Sequence, residues 1–435
     1  MATHDLVIEN ADFVVTSNSS NDVLRHHSIG ITGCEISAIA PAGELQGKRS
    51  YDASGKAIAP GLINTHTHLA MTLFRGWAEG VDLQGFLERV WAAEGAIMDG
   101  PTAQLGTELG ALESLLGGTT TALDMYLFPD SAHRGAVKAG LRHISGPIFF
   151  DFPGLDGMEW DARIEFARRW PEILTEIGGP MIPPYLMPHA TYTCSPEHLQ
   201  EIADIAREIN ANIHIHASEN EKENADVAQR YSKTPTEILS AAGILDLHTV
   251  YGHGVHLSES DISTLANKKS AVAHCPGSNL KLASGITNVT RYRNSGVSVS
   301  LGTDGCSSSN DLDMWVVMRL AALLISQTQG PEKLSTADIF RMATIEGARA
   351  VGMGSSIGSI EVGKCADLIA LDLKAPHLIP IHDIFAQLIF AAGRSDVVDV
   401  WVDGRQVVAD RRATTINFDE LSTRVSQRIA TLETK

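Results

Sequence analysis

Hydrophobic and polar positions divide the chain into a long middle region and two shorter ends of a different texture. Over residues 59–358, strand-like apolar runs of about five to nine residues alternate with stretches of helical periodicity. This alternation is typical of a parallel sheet whose strands are joined by crossover helices. The pattern predicts eight strands, at 61–66, 119–125, 142–150, 182–188, 212–217, 248–253, 270–275 and 298–304.

Predicted helices separate these strands. The first, at 102–116, stops at Gly117 and Gly118, and glycine is the usual residue just beyond a helix C-terminus. Eight strands in about 300 residues favour a closed (β/α)₈ barrel, the TIM barrel, over an open sheet. We therefore predict an α/β fold with a catalytic barrel domain over residues 59–358. The other predicted helices cover 196–210, 235–243, 259–267 and 336–351.

Both ends of the chain are rich in β-branched residues punctuated by Asn, Asp and Gly. Asp403 and Gly404 have the composition of a hairpin turn. Because chain termini often lie close together, we predict one small β domain built from residues 1–58 and 359–435, with an amphipathic helix at 417–434. The β-rich segments lie at 6–15, 28–39, 358–373 and 397–408.

Charge and composition exclude several kinds of partner. The 435 residues carry a formal net charge of −18 without any basic run, whereas nucleic acids and anionic membranes are bound by clustered Lys and Arg. No apolar run approaches the length of a membrane span, and the N-terminus lacks the pattern of a signal peptide. The five scattered cysteines include no Cys-x-x-Cys pair. We therefore expect a cytoplasmic protein without disulfides.

Metal-binding residue types follow the ends of five predicted strands. Residues i and i+2 of a strand face the same side, so His66 and His68 project two imidazoles together. Active sites of barrels lie at the carboxyl ends of the strands. The remaining candidates are His189 after strand four, His214, His216 and Glu219 at strand five, His253 at strand six and Asp304 at strand eight.

A bound metal ion would explain why so many polar side chains meet at the carboxyl ends of the barrel strands. Any one of them alone fits a hydrogen-bonded core or rim residue, but burying all of them without a purpose is costly. Several neutral histidines and a carboxylate, with one position open to water, are the ligands of a catalytic zinc site. Iron or manganese would fit similar residues.

The sequence supports the existence of a metal site more strongly than it supports any one choice of histidine ligands. His214 and His216 share one face of strand five, and either residue fits as a ligand. We choose His216, which is nearer the strand end and places Glu219 three residues further on. His274 on strand seven is a competitor, although a loop begins immediately after it. Strand four ends without the lysine that commonly bridges two metals in barrel hydrolases, so we predict one metal ion.

Short motifs occur along nearly the whole chain. They lie at 60–68, 71–76, 188–195, 216–219, 252–257, 278–285, 301–305 and 358–364. Together they resemble the amidohydrolase superfamily, in its single-metal aminohydrolase branch. Residues 71–76 and 278–285 most resemble the methylthioadenosine/S-adenosylhomocysteine deaminases.

The resemblance implies a fold, an activity and a set of site residues. The fold is a (β/α)₈ barrel with a small β-sandwich formed from both chain ends, and the activity is metal-dependent deamination of a small heterocycle by a homo-oligomer. The resemblance assigns metal binding to His66, His68, His216 and Asp304, substrate contacts to Glu94, His189 and Glu219, and a catalytic role to His253.

The expected mechanism is hydrolytic deamination. A bound metal ion lowers the pKa of a water molecule toward about 7. We predict that His253 and Asp304 take the proton of the attacking water. Glu219 then protonates the ring nitrogen beside the reacting carbon, and Asp304 passes a proton to the departing amine.

One stretch departs from the relatives that take S-adenosylhomocysteine. Those relatives place arginines after strand three, whereas residues 147–160 contain neither Arg nor Lys and Arg163 is the first candidate. This favours a neutral, partly apolar substrate such as methylthioadenosine or adenosine. The alternatives are a triazine, pterin, guanine or cytosine derivative as substrate, or a scaffold that has lost catalysis. Trp77, Phe86 and Trp91 are predicted to line the pocket in either case.

Overall fold

The structure, a computed structural model, describes residues 3–433. The strands in chain order are β1 (Thr3–His4), β2 (Leu6–Val15), β3 (Val23–Thr32), β4 (Glu35–Pro41), β5 (Gln46–Gly47), β6 (Ser50–Asp52), β7 (Lys56–Pro60), β8 (Leu62–Thr67), β9 (Thr119–Asp124), β10 (Arg142–Ser145), β11 (Ile148–Phe149), β12 (Tyr185–Pro188), β13 (Asn212–Ala217), β14 (Thr249–His253), β15 (Ala271–His274), β16 (Ser298–Leu301), β17 (Leu368–Asp372), β18 (Val397–Val402), β19 (Arg405–Ala409) and β20 (Arg412–Ala413).

Helices occupy most of the remaining chain. Short 3₁₀ helices lie at Leu69–Phe74, Ile244–Asp246, Pro376–Leu378 and Arg394–Asp396. The α-helices are α1 (Leu83–Ile97), α2 (Gly100–Leu116), α3 (Pro129–Ala139), α4 (Trp160–Arg168), α5 (Trp170–Ile177), α6 (Pro196–Glu208), α7 (Glu221–Tyr231), α8 (Pro235–Ala241), α9 (Glu259–Lys268), α10 (Pro276–Lys281), α11 (Val289–Asn294), α12 (Cys306–Ser309), α13 (Met314–Gln329), α14 (Thr336–Met342), α15 (Ile345–Ala350), α16 (Ile384–Phe390) and α17 (Phe418–Glu433).

Strands β8 to β16 form the wall of the barrel. They pair in parallel as β8–β9–β10 and β11–β12–β13–β14–β15–β16, and β10 and β11 are successive pieces of the third strand. Gly146 lies between these pieces, at a position where a Cβ would overlap the carbonyl oxygen of Tyr185. The first and last strands meet at a seam, where the Asp304 amide donates to the His66 carbonyl at 3.0 Å and Thr65 Oγ1 donates to the Leu301 carbonyl at 2.9 Å. The predicted barrel is confirmed.

Three predicted boundaries differ from the structure. Strand eight ends at Leu301 rather than at 304, and Asp304 lies beyond its end in a left-handed backbone with φ of 60°. Strand four begins at Tyr185 rather than at 182, because prolines precede it and proline has no N–H for a sheet ladder. The predicted helix 336–351 is two helices, broken at Thr344 with φ of −130° and ψ of −103°.

The second sheet draws strands from both ends of the chain, which confirms the predicted sandwich component. Its order is β20–β19–β18–β17–β7–β2–β3–β4, with β6 beside β2, and the two ends meet where β17 pairs antiparallel with β7. We call it the end-built sheet. Strand β7 continues through Gly61 directly into the barrel strand β8. The domain boundaries at 58/59 and 358/359 stay a prediction, and residues 1, 2, 434 and 435 lie outside the described part.

Local sequence signals position the helices. Helices α8, α9 and α14 each begin with a capping box, in which a Ser or Thr and an acidic residue three positions later satisfy each other's backbone N–H. Their apolar residues pack on the barrel wall in the main hydrophobic core. Over residues 3–433, no helix combines the length and the apolar character needed to span a bilayer.

A buried arginine ties the amino-terminal end of the barrel to the end-built sheet. Arg142, the first residue of β10, donates to both carboxylate oxygens of Asp367 at 2.8 and 3.0 Å. It also donates to Asp403 Oδ1 at 3.0 Å and to the Met181 carbonyl at 2.8 Å. Four hydrogen bonds therefore satisfy this charge.

Candidate active site

The carboxyl ends of the barrel strands hold a buried cluster of histidines and a carboxylate. His66 and His68 lie at the end of β8, and Asp304 follows β16 across the seam. The Nε2 atoms of His66 and His68 lie 3.4 and 3.1 Å from Asp304 Oδ1. One donor atom from each of these residues lies within 4.8 Å of the other two.

Backbone carbonyls determine which nitrogen of His68 and His216 is free. The Nδ1 atom of His68 donates to the Met125 carbonyl at 2.6 Å, and that of His216 donates to the His189 carbonyl at 2.9 Å. A carbonyl only accepts, so each Nδ1 carries a proton and each Nε2 is the nitrogen that faces a ligand. These two Nε2 atoms lie 3.3 Å apart at the centre of the cluster.

A relay of hydrogen bonds fixes His66 in the same way. His214 Nδ1 donates to the Val250 carbonyl at 2.9 Å, so His214 Nε2 accepts from His66 Nδ1 at 2.8 Å. His66 Nε2 therefore faces the centre with its lone pair and has no hydrogen-bond partner. Burial lowers the pKa of His66 to about 4, which keeps the ring neutral. The structure thus places His214 behind His66, and His216 beside His68.

The donor atoms fit a divalent cation. The Nε2 atoms of His66, His68 and His216 and the Asp304 carboxylate converge in a buried space, where a cation would give them a common partner. Burial acts to lower the pKa of His68, but the hydrogen bond to Asp304 raises it to about 9. In the metal-free protein, His68 Nε2 thus carries a proton shared with Asp304 Oδ1, and a bound cation would displace it. Neutral imidazoles plus one carboxylate are the donors that zinc prefers in open sites.

Two more functional candidates surround the cluster. His253 Nε2 lies 3.7 Å from Glu219 Oε1 and 3.9 Å from Asp304 Oδ2. Its Nδ1 donates to Asn279 Oδ1 at 2.9 Å, which leaves Nε2 free toward the centre. Burial raises the pKa of Glu219, so its carboxyl holds a proton more readily than usual. His253 and Asp304 both adopt left-handed backbones, and such strain is common at functional sites.

Supporting residues were missed by the sequence analysis. Asp304 Oδ2 accepts from Ser278 Oγ at 2.7 Å and from Ser308 Oγ at 2.8 Å. Ser278 and Asn279 belong to the motif at 278–285, so that motif carried a usable signal. Glu223 Oε2 accepts from the Glu219 amide at 2.7 Å, and burial raises the pKa of Glu223 to about 8. Nothing in the spacing of Glu223 distinguishes it from an ordinary acid in the first turn of a helix.

The predicted substrate-contact residues lie in one pocket next to the cluster. Glu94 of α1, His189 and Glu219 all line it, and the pocket together with its opening to solvent has a volume of about 660 Å³. Tyr126 OH donates to Glu94 Oε1, and burial raises the pKa of Glu94 to about 7. The rest of the wall is mainly apolar and includes Phe86, Trp91, Leu127, Ile148, Phe150 and Leu282.

Three other residues considered in the sequence, Arg163, Trp77 and His274, do not line the pocket. Of the described residues that line the pocket, none is lysine or arginine. Arg163 is 2% exposed and donates to both oxygens of Asp156 at 2.8 Å, behind the Phe150 ring. Trp77 is not among the lining residues and is exposed. His274 is buried at the end of β15, outside the pocket wall.

The comparisons with known proteins agree with this geometry. A 5-methylthioadenosine/S-adenosylhomocysteine deaminase from Syntrophobacter fumaroxidans is 39% identical over 431 residues, which are 97% of each chain. A 5'-deoxyadenosine deaminase from Methanothermobacter thermautotrophicus is 40% identical over 361 residues, 82% of this chain and 83% of the relative.

A solved structure and a family model extend the comparison. An adenosine deaminase from Xanthomonas campestris with bound zinc superposes with a TM-score of 0.95 at 34% identity, covering 100% of this chain and 99% of that one. The sequence model of the Amidohydrolase family matches residues 57–407, which include every residue of the cluster and the pocket wall. The chain therefore belongs to the amidohydrolase family.

Proposed function

We propose that this protein is a single-metal hydrolytic deaminase of adenine nucleosides that carry a small, uncharged 5' group. 5'-Methylthioadenosine, 5'-deoxyadenosine and adenosine are the expected substrates, and S-adenosylhomocysteine is a poor one. The observation that carries the proposal is the pocket itself. His68, His216 and Asp304 lie in its floor beside His66, and its apolar wall has no lysine or arginine among the described lining residues. Relatives named 5-methylthioadenosine/S-adenosylhomocysteine deaminase and 5'-deoxyadenosine deaminase support the reaction class.

The proposed metal ligands are His66, His68, His216 and Asp304. Zinc is the expected ion because the donors are imidazoles and one carboxylate, and the similar adenosine deaminase structure has bound zinc. When bound, such an ion supplies Lewis acidity and an activated water molecule. Asp304 would use Oδ1, the atom nearest His66 and His68, while Ser278 and Ser308 hold Oδ2.

His253, Glu219 and Asp304 are the proposed catalytic residues. His253 keeps a bare Nε2 because Asn279 accepts its Nδ1 proton, so this nitrogen accepts the proton of the attacking water. Glu219 is buried with a raised pKa and donates its proton to the ring nitrogen beside the amine-bearing carbon. Asp304 then takes the remaining proton of the added hydroxyl and passes it to the amine, which leaves as ammonia, and the proton on His253 returns to Glu219.

The proposed contacts assign each part of the nucleoside to a different region of the pocket. Glu219 and His189 lie at the metal side and would bind the purine ring, while the Glu94 carboxylate would accept hydrogen bonds from ribose hydroxyls. The 5' group then lies against Phe86, Leu127 and Phe150. A homocysteine carboxylate there would lose its hydration without gaining a positively charged partner, because Arg163 is already paired with Asp156.

Ammonia release by the zinc-loaded enzyme tests the proposal. The panel contains 5'-methylthioadenosine, 5'-deoxyadenosine, adenosine, S-adenosylhomocysteine, guanine and an aminotriazine. We expect the first three to react, with kcat/KM for S-adenosylhomocysteine lower by about 100-fold, since its charged groups find no partner. Equal turnover of S-adenosylhomocysteine would refute the specificity, and activity on guanine or the triazine alone would refute the substrate class.

We also propose that the enzyme is a cytoplasmic homo-oligomer. All five cysteines are free thiols, which suits a reducing compartment. Light scattering after size-exclusion chromatography tests the assembly, and a single mass near 46.7 kDa would contradict it.

A further inference from the structure

Two thiols and a carboxylate meet at the junction between the two ends of the chain. Cys34 lies in the turn between β3 and β4, Cys365 precedes β17, and Asp403 lies in the turn between β18 and β19. Both sulfur atoms and a carboxylate oxygen lie within 4.8 Å of one another. All three residues are partly exposed, so ions in solution can reach them. We call these residues the thiol cluster.

Backbone contacts hold the three segments in place. The Ala366 amide donates to the Cys34 carbonyl at 2.7 Å, and the Gly404 amide donates to the Ala366 carbonyl at 3.1 Å. Gly404 has φ of 74°, and a Cβ there would lie 2.5 Å from the Gly33 oxygen and 3.0 Å from Cys34 Cα. Only glycine lets these two turns approach so closely. The cluster is therefore built by the fold rather than by flexible side chains on a surface.

The donor set has the chemistry of a thiophilic metal site. Thiolate sulfur prefers zinc, cadmium and cobalt over calcium or magnesium, and zinc accepts mixed sulfur and carboxylate ligands. Two sulfurs bound to one zinc at about 2.3 Å each lie about 3.7 Å apart in tetrahedral geometry. Atoms already within 4.8 Å need only small side-chain rotations to reach that separation.

Charge at the junction also favours a cation. Arg142 is shared between Asp367 and Asp403, so this guanidinium faces two carboxylates. Each thiol that loses its proton to a metal adds one more negative charge, and a divalent ion would offset most of the resulting excess. Asp403 uses Oδ1 for Arg142, which leaves Oδ2 as a ligand.

We propose that Cys34, Cys365 and Asp403 form a second metal site, for a thiophilic divalent cation such as Zn²⁺, with water in the fourth position. This site lies on the end-built sheet, apart from the centre proposed in the barrel mouth. Its ion would connect the first part of the chain to the last and hold the end-built sheet together.

A redox-active thiol pair is the less favoured use of the same residues. Reactive thiols have a low pKa, whereas burial raises the pKa of the Cys365 thiol to about 11. The metal-free sulfur therefore keeps its proton near neutral pH. A cation that binds thiolate displaces that proton, as at other structural zinc sites.

Cobalt binding to the full-length, reduced protein tests the proposal. Cobalt–thiolate charge transfer absorbs in the near ultraviolet, and the ligands proposed in the barrel mouth contain no sulfur. We expect metal-stripped protein to develop this band with about one equivalent of Co²⁺ beyond the barrel-mouth site. The titration of wild-type protein is by itself decisive, because the absence of the band in fully reduced protein would overturn the proposal.

Variants locate the site. Cys34→Ser and Cys365→Ser should each abolish the band and reduce bound zinc from two ions per chain to one, with deaminase activity unchanged. Asp403→Asn should weaken cobalt binding at least tenfold. The matched control Asp410→Asn, an exposed aspartate with a similar left-handed backbone, should leave binding unchanged. A band that survives both serine substitutions would refute the assignment, whereas loss of deamination with the band intact would refute only the proposed function.

Discussion

Two buried groups of polar residues lie at opposite ends of the barrel strands, and they differ in how their hydrogen bonds are satisfied. At the amino-terminal end, Arg142 makes four hydrogen bonds to carboxylates and a carbonyl. At the carboxyl end, His66 Nε2 is buried without a partner, although the opposite nitrogen of the same ring is held by His214.

This difference in hydrogen bonding distinguishes residues that stabilise the fold from residues that bind a ligand or take part in chemistry. A buried charge whose partners are complete supports the fold, and removing one partner leaves an uncompensated charge. A buried set of lone pairs that face one another gains nothing for the fold and requires a ligand. The two ends of the same strands therefore predict different consequences for substitution, namely loss of stability at one end and loss of chemistry at the other.

The largest expected effect is at the carboxyl end. Glu219→Gln keeps the size of the side chain but removes the proton that the proposed mechanism delivers to the substrate ring. We expect kcat to fall about 1,000-fold, within the range for loss of a general acid, with zinc content and unfolding temperature close to wild type. Steady-state ammonia release and elemental analysis of one preparation measure both. A rate within tenfold of wild type would disprove the role of Glu219.

The next effect is at the amino-terminal end. Asp367→Asn removes the bidentate partner of buried Arg142, and we expect a loss of about 3 kcal/mol in the free energy of unfolding. Activity per folded molecule should not change, because the pair is remote from the pocket. Urea unfolding measures the loss. The exposed pair Arg168–Glu208 provides the control, since Arg168→Ala should cost less than about 0.5 kcal/mol.

A third substitution places charge where the pocket wall is apolar. Leu87 lines the pocket and is partly exposed, so an arginine there keeps contact with water. Leu87→Arg should raise kcat/KM for S-adenosylhomocysteine relative to 5'-methylthioadenosine by about tenfold, through one charge-assisted contact with the homocysteine carboxylate. Leu87→Gln changes the polarity without adding charge, and the same rise in that variant would show that charge is not the cause.

The smallest expected effect is a pH dependence of stability at Glu223. Burial raises the pKa of its carboxyl from 4.5 to about 8, so the folded chain binds this proton more tightly than the unfolded chain. Its contribution to stability is therefore fully present below pH 4.5 and is lost as pH rises through about 8.

Glu223→Gln, which does not titrate, should gain stability relative to wild type as pH rises. Thermal unfolding at pH 5.5 and pH 8.5 measures the change in that difference. Glu221→Gln, at an exposed position of the same helix, serves as the control and should show no such change. An equal difference at both pH values for Glu223→Gln would contradict the buried, protonated state.

The sequence predicted the barrel because its eight apolar runs and helical spacers follow the periods of strand and helix. It predicted the pairing of His66 with His68 for the same reason. The alternation of a strand reveals the face of a residue but not its depth. His214 and His216 share a face, yet His214 lies about 6.6 Å deeper along the strand, and only the fold shows which of them meets His68.

Contacts between distant segments were beyond what the sequence shows. Ser278, Asn279 and Ser308 act through hydrogen bonds to residues that other loops position. Arg163 looked like a free cation because its pairing with Asp156 depends on the course of the loop between β11 and α4. The thiol cluster joins three segments that only the end-built sheet brings together.

The seam between β8 and β16 determines when the proposed metal site can form during synthesis and folding. Its hydrogen bonds join residues that are 235 to 239 positions apart. Contacts of this range are entropically costly to form, since a long loop must close before the contacts compensate for it. His66 and His68 emerge early during synthesis, but Asp304 reaches them only after the intervening strands exist. On the proposed ligand set, acquisition of the cation therefore marks a completed barrel, and a nascent chain that ends before β16 cannot hold it.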